Sequence, residues 1–425
     1  MNQPQPIEIA VTTSESLTKT MSTSPIITPS RWRIPKTSKD PSLNMLLKLV
    51  GKPKDGGQVI EAQIKKGLMQ GDPLADDLVL WMQSLPPGEG RKLFDQALES
   101  GIHTIQNPPQ PLVDLFKQLD ERPTWLDDQT LALACKTGLR AGLGGQIVLS
   151  CMALMGGYRS GAAVKPLVMT GALTSMAKRR LAETSKFVVD LYNSPTLSRN
   201  SPGFKSAVRV RLMHALVRNR LANDPQWKND TWGTPINQAD MLGTNLLFSV
   251  ASLLGLRSLG FIYNKKETQA TITFWRYVGY LMGVDPALLP KTLKEGMRTA
   301  YFIGASQGNA DNDSRELAEA LMEVPYKDKQ GSKRWLGKME MQFRSGLSRL
   351  FMGDASANEL GLPNNPLKYT LLLTTPFILT GEMVRILLPG GNIIAERIGR
   401  HLVHNHVENI LGGKLPDYVP YHEKK

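Results

Sequence analysis

Residues 204–221 read FKSAVRVRLMHALVRNRL. Placed on a helix at about 100° per residue, Arg211, His214 and Arg218 stand at i, i+3 and i+7, inside a wedge of roughly 60°. Lys205, Arg209 and Arg220 form a second cationic stripe on the opposite side. Val208, Val210, Leu212, Ala215, Val217 and Leu221 fill both flanks. A helix with apolar flanks and two opposed cationic stripes does not easily turn both stripes to water. The expectation is that one of them faces the interior.

Two arginines around one histidine inside a protein need an anion, because buried charge without a partner is prohibitive. Two partners meet that need. A haem offers two propionates to the arginines and an iron to a neutral imidazole. Carboxylates from neighbouring helices, with this helix half exposed, are the other. The pattern alone leaves both open.

Two further pieces flank this helix in sequence. Upstream, KRRLAET (178–184) opens a helix running to about Tyr192, and Arg180 and Thr184 lie one turn apart. They present a cation and a hydroxyl to one ligand, or simply a basic helix start. Downstream, WGTPINQAD (232–240) reads as a turn at Pro235 followed by an N-cap at Asn237.

In this order, RxxxT, RxxHAxxR and WGxPINQxD resemble the latex clearing proteins (rubber oxygenases) and the related MpaB-type oxygenases. FWRYVGYLMGVDPALLP (274–290) follows in a compatible place, and the resemblance covers roughly residues 120–350. It implies an all-α fold, a multi-helix bundle with a globin-like core and additional helices, holding one non-covalent b-type haem. His214 then matches the proximal iron ligand, with Arg211 and Arg218 as the basic, cofactor-binding residues beside it. Arg180 and Thr184 match the distal residues that act on dioxygen. The implied activity is oxygenation of an apolar, unsaturated, isoprenoid- or lipid-like substrate, in the extreme by cleavage of a C=C bond. A haem-binding sensor or carrier without turnover is the rival. Glu183 stands where latex clearing proteins carry a distal lysine before the threonine, so a lysine-ligated closed state is not implied here.

The rest of the chain agrees with an all-α class. Apolar residues recur at three and four spacings in stretches such as Leu74–Leu85, Val164–Ala177, Gln238–Leu253 and Asn392–Leu411, and no alternating strand or fixed repeat emerges. The expected organisation is a tail over residues 1–42, a single all-α domain over 43–412 and a polar tail over 413–425. Two cysteines, Cys135 and Cys151, exclude a disulfide framework and any cysteine-rich metal site. Cysteine usage and the lack of a signal-peptide-length apolar run point to the cytoplasm.

The net charge of +13 is concentrated, because residues 178–220 hold ten Lys and Arg against two acids. Interleaved with apolar residues, these bases suit an internal counter-charge better than a nucleic-acid face. Gly142-Leu-Gly144 lacks a third glycine and a preceding strand, so it reads as close helix contact and not as a dinucleotide loop. Residues 309–314 lack the glycine and glutamate of a calcium loop; Asp313 is expected to cap the following helix. His401, His404 and His406 read as a basic helix end. YTLLLTTPFILTGEMVRILL (369–388), interrupted by Pro376, Glu382 and Arg385, is expected to be a buried core helix, with contact to a membrane or apolar substrate as the alternative.

Overall fold

The computed structural model describes residues 28–38, 40–171, 177–328 and 331–411. Among them there is no strand, and the fold is all-α. The first helices are α1 (Pro41–Val50), α2 (Gln58–Gly67), α3 (Pro73–Gln83), α4 (Glu89–Ser100), α5 (Gln110–Asp120) and α6 (Asp128–Arg140). Then come α7 (Gly142–Gly157), α8 (Gly161–Met169), α9 (Ala177–Tyr192), α10 (Pro202–Ala222), α11 (Gln238–Ser258) and α12 (Lys265–Leu281). The last are α13 (Leu293–Ser306), α14 (Asn312–Asp328), α15 (Arg334–Glu359), α16 (Thr370–Leu387) and α17 (Gly391–Leu411).

The central layer is α10 between α3 and α9, with α12 against α6 and α10. Its core includes Phe94, Phe116, Phe204, Phe274 and Trp275, all 2% exposed or less. A second core joins α2, α11 and α13 through residues such as Ile64, Leu242 and Phe302. Two wall helices are locally over-wide. α7 is π-helical over Leu149–Leu154 and α11 over Leu247–Ala251, and these segments pack on each other. Such π segments redirect side chains without ending a helix and often mark functional sites.

Several expectations change. The expected tail does not run as far as residue 42, since Arg31, Pro35, Asp40 and Ser42 are tied to the body. Arg31 forms an ion pair with Asp240 at 2.7 Å, and Pro35 O accepts from Tyr301 Oη at 3.0 Å. Asp40 caps α1, accepting from Ser42 N at 2.8 Å. Residues 1–27, the segment 172–176 within the expected helix Val164–Ala177, and the tail after 411 lie outside the described residues.

The glycine reading holds. The chain bends by 86° between α6 and α7, at Gly142 with φ +49°. A Cβ on Gly142 would stand 3.1 Å from Gly399 Cα, so α17 crosses this bend at close range. Asp311, not Asp313, accepts from Ser314 N at 3.0 Å, because the helix begins at Asn312 and Asp313 already lies inside its first turn; Lys165 pairs with both carboxylates. The buried-core expectation for 369–388 fails: α16 leaves Leu373 70% and Phe377 79% exposed.

Candidate active site

Helix α10 starts from Ser201, whose Oγ accepts from Phe204 N at 3.4 Å, with Pro202 in its first turn. Its 21 residues pass through the middle of the molecule. The stripe turned inward is the one with His214, and the second stripe is turned outward, where Lys205 and Arg209 meet Glu99.

The structure separates His214 from its two arginines. His214 lines a cavity of about 450 Å³ together with Val210, Met213 and Val217 of its own helix. Arg211 and Arg218 point to α3 instead. Arg211 forks onto Asp72, Nε to Oδ2 at 2.6 Å and Nη2 to Oδ1 at 2.9 Å, and gives Nη1 to Gln118 Oε1 at 2.5 Å. Arg218 binds Asp76, Nε to Oδ1 at 2.7 Å, and donates from Nη1 to Ile236 O at 2.9 Å. Both arginines are buried, at 3% and 4% exposure. Protein carboxylates therefore fill the place expected for propionates, and neither arginine lines the cavity. Burial of Asp76 outweighs the Arg218 guanidinium and holds its carboxyl above the usual range.

His214 is enclosed by protein, yet part of its ring stays open to the cavity. Its Nδ1 is buried without a hydrogen-bond partner. Burial, and then the Arg218 charge, push its pKa down to about 4. The imidazole is neutral near pH 7, which is the form that ligates a metal.

Across α9, Arg180 and Thr184 line the same cavity, as sequence order suggested. Both are half-buried, and neither has a hydrogen bond or ion pair among the described residues. Glu183, also on the wall, is held by Arg179 at 2.8 Å. The remaining wall is mostly apolar: Leu154, Val164 and Leu167 from α7 and α8, Met241 and Phe248 from α11, Trp275 and Val278 from α12. Trp275 is fixed by its Nε1 bond to Tyr192 Oη at 3.0 Å.

The 232–240 segment buttresses this arrangement. Asn237 caps α11, accepting from Asp240 N at 2.9 Å, as expected. Ile236 takes φ +48°, a left-handed conformation rare for a β-branched residue, and its carbonyl accepts from Arg218. Gln238 donates to Gly71 O and Gly283 O at 2.8 Å each and accepts from Asp285 N at 2.8 Å. It ties the loop before Asp72 to the end of α12. Sequence reasoning missed Asp72 and Asp76, which lie 139 and 142 residues before their arginine partners, and gave Gln238 no role.

A second cavity of about 610 Å³ adjoins the first. The two share Gly157, Ala163, Asp240, Thr244 and Leu247 in their walls. No cluster of three His, Cys, Asp or Glu that suits a metal exists among the described residues. His404 instead bonds Asn193 at 2.8 Å and His401 bonds Asn405 at 3.0 Å.

The sequence model of the family described as "ER-bound oxygenase mpaB/B'/Rubber oxygenase, catalytic domain" matches residues 144–380, more than half of the chain. The chain belongs to this oxygenase family. The family match contains Arg180, Thr184, His214 and the 232–240 segment, and it excludes Asp72 and Asp76. The chain is similar to the rubber oxygenase of Streptomyces sp. (strain K30), at 24% identity over 202 residues. That alignment spans 47% of this chain and 47% of the relative, about half the length of each. The solved structure titled "Structure of Latex Clearing Protein LCP in the closed state" superposes with a TM-score of 0.55 at 19% identity, covering 80% of this chain and 91% of that one. At that identity the likeness establishes the shared fold.

Proposed function

We propose that the chain is a haem-dependent oxygenase of an apolar, unsaturated substrate, with His214 as the iron ligand. The observation that carries this is His214 itself: a neutral imidazole, opening on an apolar cavity whose only cation without a partner among the described residues is Arg180. The residues fit a group that needs one neutral nitrogen ligand and a dry, apolar enclosure. The cavity volume falls in the range of about 300–1,000 Å³ usual for ligand and cofactor sites. Arg211 and Arg218 are committed to Asp72 and Asp76, so their part is to fix α10, and therefore His214, against α3. Counter-charge toward the group falls to Arg180.

Bound haem would supply the redox chemistry with dioxygen, which no side chain in the cavity can perform. The chain does the rest. Arg180 and the Thr184 hydroxyl are catalytic candidates as hydrogen-bond donors to a polar guest, undistracted by other partners. Glu183, tied to Arg179, occupies the position of the relatives' distal lysine. The apolar walls exclude water and align an isoprenoid- or lipid-like chain, and the adjoining cavity extends the room for one. Cleavage of a C=C bond balances when both atoms of one dioxygen end as the oxygens of two carbonyl products.

The purified chain, reconstituted with haem, should show a Soret band, and His214→Ala should retain none of the group. An absent band in the wild type, or a fully loaded variant, overturns the assignment. Oxygen uptake that depends on an added unsaturated isoprenoid separates an oxygenase from a haem sensor or carrier.

A further inference from the structure

Helix α16 is inside out. Its two charged residues, Glu382 and Arg385, are buried at 6% and 8% exposure, where a surface helix would turn them to water. They pair with each other at 2.8 Å. Both also hold the backbone of Ile262, whose N–H donates to Glu382 at 2.8 Å and whose carbonyl accepts from Arg385 at 3.3 Å. The outer side carries Leu373, Phe377 and Leu387, 70–79% exposed. Helix α17 continues this exterior with Ile393, Ile394 and Ile398, each more than half exposed. In water this arrangement loses at both faces: charges are desolvated and large apolar groups are hydrated. It suits a helix whose outer surroundings are apolar.

We propose that the α16–α17 hairpin docks the protein onto a bilayer containing anionic lipid, lying along the headgroup and upper acyl layer. Length and composition favour lipid, since Pro366–Leu387 spans 22 residues and holds an 18-residue window of mean hydropathy 1.3, long and apolar enough to cross a membrane. Its inner side is fastened to Ile262, so the helix lies along the surface and does not cross. Charge favours lipid over a second copy of the chain. Between Thr370 and Leu402 both acids are paired, Glu382 with Arg385 and Glu396 with Arg400. The exposed Arg397 has no partner among the described residues. The net charge this face presents is positive, as is that of the whole chain at +13. Anionic headgroups complement it. A two-fold contact of this face with itself would set Arg397 against the same unpaired cation with no acid to meet it.

The test needs neither haem nor turnover, so its outcome is independent of the proposed activity. The full chain is floated with phosphatidylcholine vesicles containing phosphatidylglycerol, and with phosphatidylcholine alone. It should float with the mixed vesicles and more weakly with the neutral ones. The double variant Phe377→Glu/Leu387→Glu should float at least about tenfold less, with an unchanged circular dichroism spectrum, because both side chains are exposed in the folded protein. Wild type that floats with neither vesicle, or a double variant that floats as well as wild type, overturns the proposal. A lipid-free dimer by light scattering that the double variant dissociates overturns it too and gives the face to a second copy.

Discussion

Helices α10 and α16 exchange the places their compositions would give them. α10 carries Lys205, Arg209, Arg211, Arg218 and Arg220, yet it runs through the core. α16 carries two charges among eighteen residues, yet most of it is exposed. The difference lies in partners and not in hydropathy. The buried cations of α10 are met by carboxylates at the N-cap and in the first turn of α3, 139 and 142 residues away in sequence. Arg385 of α16 is met three residues away on its own helix. A charge is buried where a complementary group can be brought to it, and an apolar side chain stays outside where nothing in the chain covers it.

The strongest way to break this comparison is to remove the distant partner. Asp72→Ala leaves the Arg211 guanidinium buried with only Gln118 to accept from it. Breaking a buried pair from one side costs about 3–5 kcal/mol, because the surviving charge stays uncompensated. The denaturant midpoint should fall accordingly, and Asp72→Leu combined with Arg211→Met should recover most of the loss. A single variant as stable as wild type would mean that Arg211 reaches solvent and that α10 is not fixed through α3.

How much of this was legible in the sequence follows from the range of each interaction. Helix positions were, because three-and-four spacing is local, and so was the Asn237 cap, which acts over three residues. The shared cavity of Arg180, Thr184 and His214 was legible only through the order of the three motifs, since α9 and α10 are neighbours in both sequence and space. The partners of the basic segment were not. Of the ten bases in 178–220, Arg199, Lys205, Arg209, Arg211 and Arg218 find acids in α3, α4 and α5. The local excess of charge is answered by distant carboxylates, which no reading of the segment alone reveals. The packing of Arg31 on Asp240 escaped for the same reason: a polar, Pro-rich stretch reads as a tail until its partner, 209 residues on, is brought to it.

His214 supplies a second, smaller effect that sharpens the comparison, because it is the buried group of α10 without a counter-ion. Its pKa is pushed down to about 4 by burial and by Arg218, against about 6.5 in an unfolded chain. Between those values the unfolded chain takes up a proton that the folded one refuses. Stability of the haem-free protein is therefore unaffected by this group above pH 6.5 and is lost as pH falls below it, by about 1.4 kcal/mol per pH unit at most. Denaturant melts of wild type and His214→Leu from pH 7 to 4 test this. The variant should lack that part of the acid loss, and identical profiles would show that the imidazole is protonated in the folded state.

The smallest global effect is expected where the charge pair belongs to the exposed helix. Glu382→Ala removes two acceptors from Arg385, but Asn392 still accepts from that guanidinium. Ile262 O also accepts from Arg385, so its guanidinium stays hydrogen-bonded once Glu382 is gone, and the Ile262 N–H is the group left without its acceptor. The cost should be about 1–3 kcal/mol, that of orphaned buried polar groups, and below that of Asp72→Ala because Arg385 keeps two neutral acceptors. Its mark should be local: faster amide exchange across α16 and α17, with exchange in α10 unchanged. If Glu382→Ala costs as much as Asp72→Ala, the hairpin is part of the cooperative core and the contrast between the two helices disappears. If exchange rises only in the hairpin, α16 is held to the body by this one pair and its neighbours, as a helix that takes its outer surroundings from elsewhere must be.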